Sequence, residues 1–181
     1  MKKYLIGAGA IIVLLIIVSF IYMYSGIFDI SARIPHDPLT LWAMNTVRNN
    51  SIKHNADDNI KTPDLENPDL VKMGFVHYRE MCAGCHGGPG VERSEIGQGL
   101  YPAAPSLAEV VNGWTPQQLF WITKNGLKMT GMPAFGITHT DDMIWAIIAF
   151  SKKLPTMTKE QYQIFDNETK DESDEADENT H

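Results

Sequence analysis

The chain starts Met1-Lys2-Lys3 and then carries no charge from Tyr4 to Tyr24. About 20 apolar residues suffice to cross a bilayer, whereas the core of a cleaved signal is shorter, ~7–15 residues, and ends at a small-x-small site. Ser25-Gly26-Ile27 offers no such site. The pattern predicts an uncleaved anchor over residues 1–26 that touches membrane lipid. Tyr22, Tyr24 and Phe28 form its interfacial aromatic belt, and Lys2 and Lys3 hold the N-terminus in the cytoplasm. A cleaved signal peptide is the competing reading.

After the anchor the apolar positions recur at helical spacing, and nowhere does strand alternate with helix. Asp37-Pro38 reads as a cap and first helical residue, with Leu41, Met44 and Val47 following; residues 27–62 otherwise read as a linker. Asn67-Pro68-Asp69 starts a helix that runs to Cys82, with Gly74, Tyr78 and Cys82 on one face. Thr115-Pro116 starts a helix to Asn125 that Gly126 closes, and Thr140 caps another to about Lys153, stopped by Leu154-Pro155. Thr158 to Gln161 has capping-box spacing, so a brief helix through Phe165 follows. From Asn167 almost nothing is apolar.

The expectation is therefore an all-α chain with one folded domain, residues 63–165, and an acidic disordered tail, residues 166–181. Charge supports that division. The formal net charge is −7, and from Asp166 onward eight acids against one lysine account for it. The folded body is then close to neutral, which excludes nucleic acid as a partner.

The chemistry is concentrated in Met81-Cys82-Ala83-Gly84-Cys85-His86, which contains both cysteines of the chain. Two thiols spaced C-x-x-C can add to the two vinyl groups of one haem, and the next residue, His86, then lies beneath the iron as its proximal ligand. A structural zinc site would need a second ligand pair, and no cysteine remains to supply it. A thioredoxin-like motif would need a βαβ setting. On this reading Tyr78 covers the haem edge. A ligating imidazole donates its other N–H to a carbonyl or carboxylate, and a backbone carbonyl in the proline-containing loop after Gly90 is the expected acceptor. Lys128-Met129-Thr130-Gly131-Met132-Pro133 is a loop with two thioethers, either of which could be the sixth ligand.

In these motifs the chain resembles the class I c-type cytochromes from about Pro63 to Pro155. Gly74 and Tyr78 match the family's glycine and aromatic on the first helix, and Cys82, Cys85 and His86 match its haem site. Pro105-Ser106-Leu107 is similar to the family's P-x-L, whose proline carbonyl accepts the histidine N–H. Met132-Pro133-Ala134-Phe135 is similar to its M-P-A-F, which implies Met132 rather than Met129 as distal ligand. Trp145 falls where the last helix crosses the first. The run from Asn125 to Met132 more narrowly resembles membrane-anchored bacterial monohaem cytochromes.

The resemblance implies a small haem domain behind one transmembrane helix, with a single covalently attached haem c held by Cys82, Cys85, His86, Pro105, Leu107 and Met132. It implies one-electron transfer between redox proteins or membrane redox complexes at the outer face of the cytoplasmic membrane, with no substrate at the iron and no enzymatic activity. Two alternatives stay open: a haem c subunit of a larger membrane dehydrogenase, reductase or oxidase, and a ligand-binding or peroxidase-like haem protein.

Overall fold

The computed structural model describes residues 1–178, of which 170–178 are described by their backbone alone. The chain divides after Pro35 into two units. The first holds helix α1, Lys2–Tyr24, none of whose side chains is buried by protein. At 1.5 Å per residue its 23 residues extend about 35 Å, more than the ~30 Å of a bilayer's hydrocarbon core. Among the described residues it is the one helix long and apolar enough to cross a membrane. At its end the Tyr22 and Phe28 rings meet edge-on at 6.3 Å.

The second unit, from His36 onward, is helical and has no strand among the described residues. Its helices are α2 (Pro38–Asn55), α3 (Pro68–His77), α4 (Ala83–His86), α5 (Glu95–Gln98), α6 (Leu107–Val110), α7 (Pro116–Asn125), α8 (Asp141–Ser151) and α9 (Lys159–Glu178). The predicted caps are in place. Asn67 Oδ1 accepts from Asp69 N, Thr115 and Gln118 form a reciprocal capping box, and Thr140 Oγ accepts from Met143 N. Each satisfies backbone donors that the first helical turn would otherwise leave unpaired.

The core is the crossing of α3 and α8. Every residue of α8 from Ile144 to Ser151 is buried. At Gly74 a Cβ would lie 1.9 Å from the Ala146 carbonyl oxygen, so only glycine lets the two backbones approach this closely. Ala146 and Phe150 thus occupy the crossing, not Trp145. Trp145 instead faces the other way and stacks on Phe120 of α7, centroids 4.5 Å apart. Behind the crossing Phe75, Tyr78, Phe150 and Tyr162 form an aromatic cluster with edge-on and tilted contacts near 5 Å.

Three features depart from the sequence reading. The helix leading to Cys82 is not a single α-helix: Tyr78–Cys82 is a π turn, with Ala83 N donating to Tyr78 O. The inserted residue shifts the register of everything beyond it, so Cys82 does not continue the α-helical face of Gly74 and Tyr78. Helix α2 is not merely linker, because Ile52 is only 1% exposed. Finally, the terminal helix continues past Phe165, through the point where the disordered tail is expected. Arg79 binds Asp166 Oδ1 at 3.1 Å and Thr169 Oγ at 3.0 Å, and Thr169 is buried. A basic partner from α3's end thus gives the acidic segment a reason to stay helical. Residues 179–181 of the expected tail lie outside the described residues.

Candidate haem site

Cys82 and Cys85 are free thiols on the turn from the π segment into α4. Burial beside Cys85 pushes the Cys82 thiol up to about 12, so it is protonated. Gly84 between them is held by Ser94, whose N–H and hydroxyl both donate to Gly84 O at 2.9 Å. Ser94 caps α5, and Gly97 on that helix passes so close that its Cβ would lie 2.3 Å from the same oxygen. Sequence reasoning missed Ser94; its one local signal is a serine followed by Glu95 at a helix start.

His86 ends α4. Its Nδ1 lies 2.8 Å from Pro105 O. A carbonyl only accepts, so Nδ1 carries the proton and donates, and the Nε2 lone pair is left for a metal. Burial holds the imidazole below its ordinary pKa; the Pro105 hydrogen bond opposes that and the Arg93 charge adds to it. The ring is thereby kept neutral, as a ligand must be.

The methionine loop is built on Gly126. This residue has φ +65°, and a Cβ there would lie 2.6 Å from the Pro133 carbonyl carbon, so the returning strand can lie directly against it. The turn is fastened by Leu127 N to Met132 O at 3.3 Å, Thr130 Oγ to Leu127 O at 2.7 Å, and Met132 N to Thr130 Oγ at 3.1 Å. Met129 is at the tip, with φ 59° and 76% exposed. Met132 points back into the fold.

One cavity of about 310 Å³ brings the pieces together. Its wall contains Cys82, Cys85, His86, Pro105, Leu107 and Met132, all the residues the sequence singles out, and not Met129. Ile147 and Ile148 of α8, Ile122 of α7 and Trp114 make most of the rest apolar. A wider hollow of about 630 Å³ touches His86 and Leu107 from elsewhere but holds neither cysteine nor Met132. Tyr78 lines that hollow, with its hydroxyl donating to Gly87 O at 2.7 Å, so it braces the turn after His86 and does not cover the cavity that holds the cysteines.

A protein-family model described as cytochrome c oxidase, cbb3-type, subunit III matches residues 69–150. This stretch is a class I c-type cytochrome haem domain. It is an electron-transfer domain whose family cofactor is haem c. No curated protein and no solved structure matches the chain. The cavity fits that cofactor. An apolar wall suits the macrocycle, a neutral imidazole with Nε2 free and a thioether suit the iron, and two unpaired thiols suit the vinyl groups. The matched stretch begins within α3, so α2 lies outside it although Ile52 and Arg48 are in the wall of the cytochrome's cavity.

Proposed function

We propose that the protein is a membrane-anchored monohaem cytochrome that carries single electrons between redox partners at the outer face of the cytoplasmic membrane. The observation that carries this reading is the gathering of Cys82, Cys85, His86 and Met132 in the wall of one cavity. Haem c supplies the one-electron couple. Cys82 and Cys85 tether it covalently, His86 is the proximal ligand with its tautomer fixed by Pro105, and Leu107 forms part of the wall. Met132 takes the sixth position, and its soft sulfur favours the reduced iron and raises the potential. Both axial positions are then filled by protein, which leaves no place for a substrate, and the protein is a carrier without enzymatic activity of its own. The chain contains one C-x-x-C-H and no further cysteine, so there is one haem, and electrons enter and leave through partners. Lys2 and Lys3 before α1 place the N-terminus in the cytoplasm and the haem domain outside, with residues 1–26 as anchor.

A visible spectrum of the reduced, detergent-solubilised protein with and without carbon monoxide tests the ligand pair. The wild-type spectrum is expected to be unchanged by the gas, while Met132→Ala forms the adduct and Met129→Ala does not. A ready adduct in the wild type would overturn the carrier reading in favour of a ligand-binding haem protein.

A second reading has its own observation: the matching family is described as an oxidase subunit. The protein would then be the haem c subunit of a larger membrane complex, and purification in mild detergent would bring stoichiometric membrane subunits with it.

A further inference from the structure

We propose that Arg48 of α2 binds a propionate carboxylate of the haem, making α2 a wall of the haem crevice. The inference rests on the haem reading above.

Beyond Cys82, Cys85 and His86, Arg48 is the one ionisable side chain in the wall of the otherwise apolar cavity. Haem has a broad apolar plane and two carboxylates on one edge. Apolar surface matches the plane, and a guanidinium is the side chain best shaped for a carboxylate, through paired N–H donors. Arg48 Nε and Nη2 donate to Asn49 Oδ1 at 3.2 and 3.1 Å, which orients the group. Its remaining donors have no partner among the described residues. The side chain is exposed, at a position where a carboxylate can keep part of its hydration while still pairing.

The helix is fixed at both ends. Ile52, one turn beyond Arg48, is buried and lines the same cavity. At the other end His36 N donates to the Tyr101 hydroxyl at 2.6 Å, and the two rings meet edge-on at 5.1 Å. Asp37 then caps the helix through Leu39 N and Thr40 N. The other cations near the domain's chemistry are placed elsewhere. Arg93 lines the wider hollow, and Lys124 pairs with Asp141 at 2.6 Å.

The test is the reduction potential of the haem-loaded full chain against pH, for the wild type, Arg48→Gln, Arg48→Lys and Lys53→Gln. Lys53 is exposed on the same helix and outside the cavity wall, so its substitution removes the same charge without the contact. A guanidinium beside a carboxylate holds its pKa down by about 1–3 pH units, and its loss releases that shift. R48Q is expected to lower the potential and to move the propionate's break in the potential–pH curve up by about 1–3 pH units. R48K keeps the charge but not the planar fork and moves it less; K53Q follows the wild type. A curve for R48Q that coincides with that of the wild type or of K53Q, with haem intact, overturns the proposal. If R48Q takes up no haem, R48K decides: loading with a near-wild-type curve supports the contact, and failure to load shows a merely structural role and overturns it. A wild-type chain with no covalently bound haem overturns the parent reading and this inference with it.

Discussion

At the residue scale, the chemistry is carried by side chains whose neighbours fix one protonation state. The Pro105 carbonyl sets the His86 tautomer, and burial keeps Cys82 a thiol. His77, on α3, is a further case away from the haem ligands. Burial lowers its pKa, and the nearby His139, with ring centroids 5.5 Å apart, lowers it further; Glu80 opposes both. The unfolded chain takes up this proton near the ordinary histidine value of about 6.5, and the folded chain only at lower pH. Stability linked to His77 is therefore fully present above about pH 6.5 and is lost as pH falls from there through the folded pKa. His77→Gln is expected to flatten the acid side of the melting-temperature profile between about pH 7.5 and 5. A constant difference in melting temperature between wild type and variant across that range would refute the linkage. Local motifs made much of the site legible in advance. Cys82, Cys85 and His86 are contiguous, and Met132 is followed by Pro133 in a loop that the glycines announce. Tyr78 was legible as a buried aromatic but not in its role, because its hydrogen bond to Gly87 depends on the π turn, which no residue pattern marks.

At the element scale, the fold depends on two close approaches that only glycine permits, Gly74 beneath α8 and Gly126 beneath Pro133. Gly74→Ala sets two effects against each other. Alanine gains about 1 kcal/mol of helix propensity. Its Cβ, however, would fall 1.9 Å from a backbone oxygen of α8, which cannot rotate away as a side chain could. The helices must separate along the most buried contact of the domain, and overpacking of this kind costs about 1–3 kcal/mol or more. The clash wins. The haem-loaded variant is expected to unfold about 1–2 kcal/mol more easily in urea, and an unchanged midpoint would show that the crossing can relax. Helix starts were legible because caps such as Thr115 and Thr140 act within four residues. The extent of α9 was not. Asp166 and Thr169 look like the start of a solvated acidic run, and their partner Arg79 is more than eighty residues earlier.

At the scale of the whole molecule, the division after Pro35 separates an apolar helix from a unit that holds all the haem chemistry. Where the haem domain begins is less obvious. The family match begins at residue 69, and residues 27–62 read as linker in the sequence. The apolar periodicity of α2 misleads there: Val47 and Trp42 are 70% and 65% exposed, whereas Ile52 is the buried residue. Its role comes from contact with distant α7 and the cavity, which local spacing does not encode. Two shortened chains, each behind a cleavable export signal, separate the alternatives. A chain from Asp29 keeps α2 and is expected to be water-soluble, with the spectrum and potential of the full protein. A chain from Asp57 keeps the whole matched stretch but loses Ile52, whose burial alone contributes about 1.5–3 kcal/mol. In a domain of this size that corresponds to a melting temperature at least about 5 °C lower. Equal melting temperatures for the two chains would return α2 to the status of a linker. A lower one for the chain from Asp57 alone would place the start of the cytochrome domain at α2, some thirty residues before the shared family pattern begins.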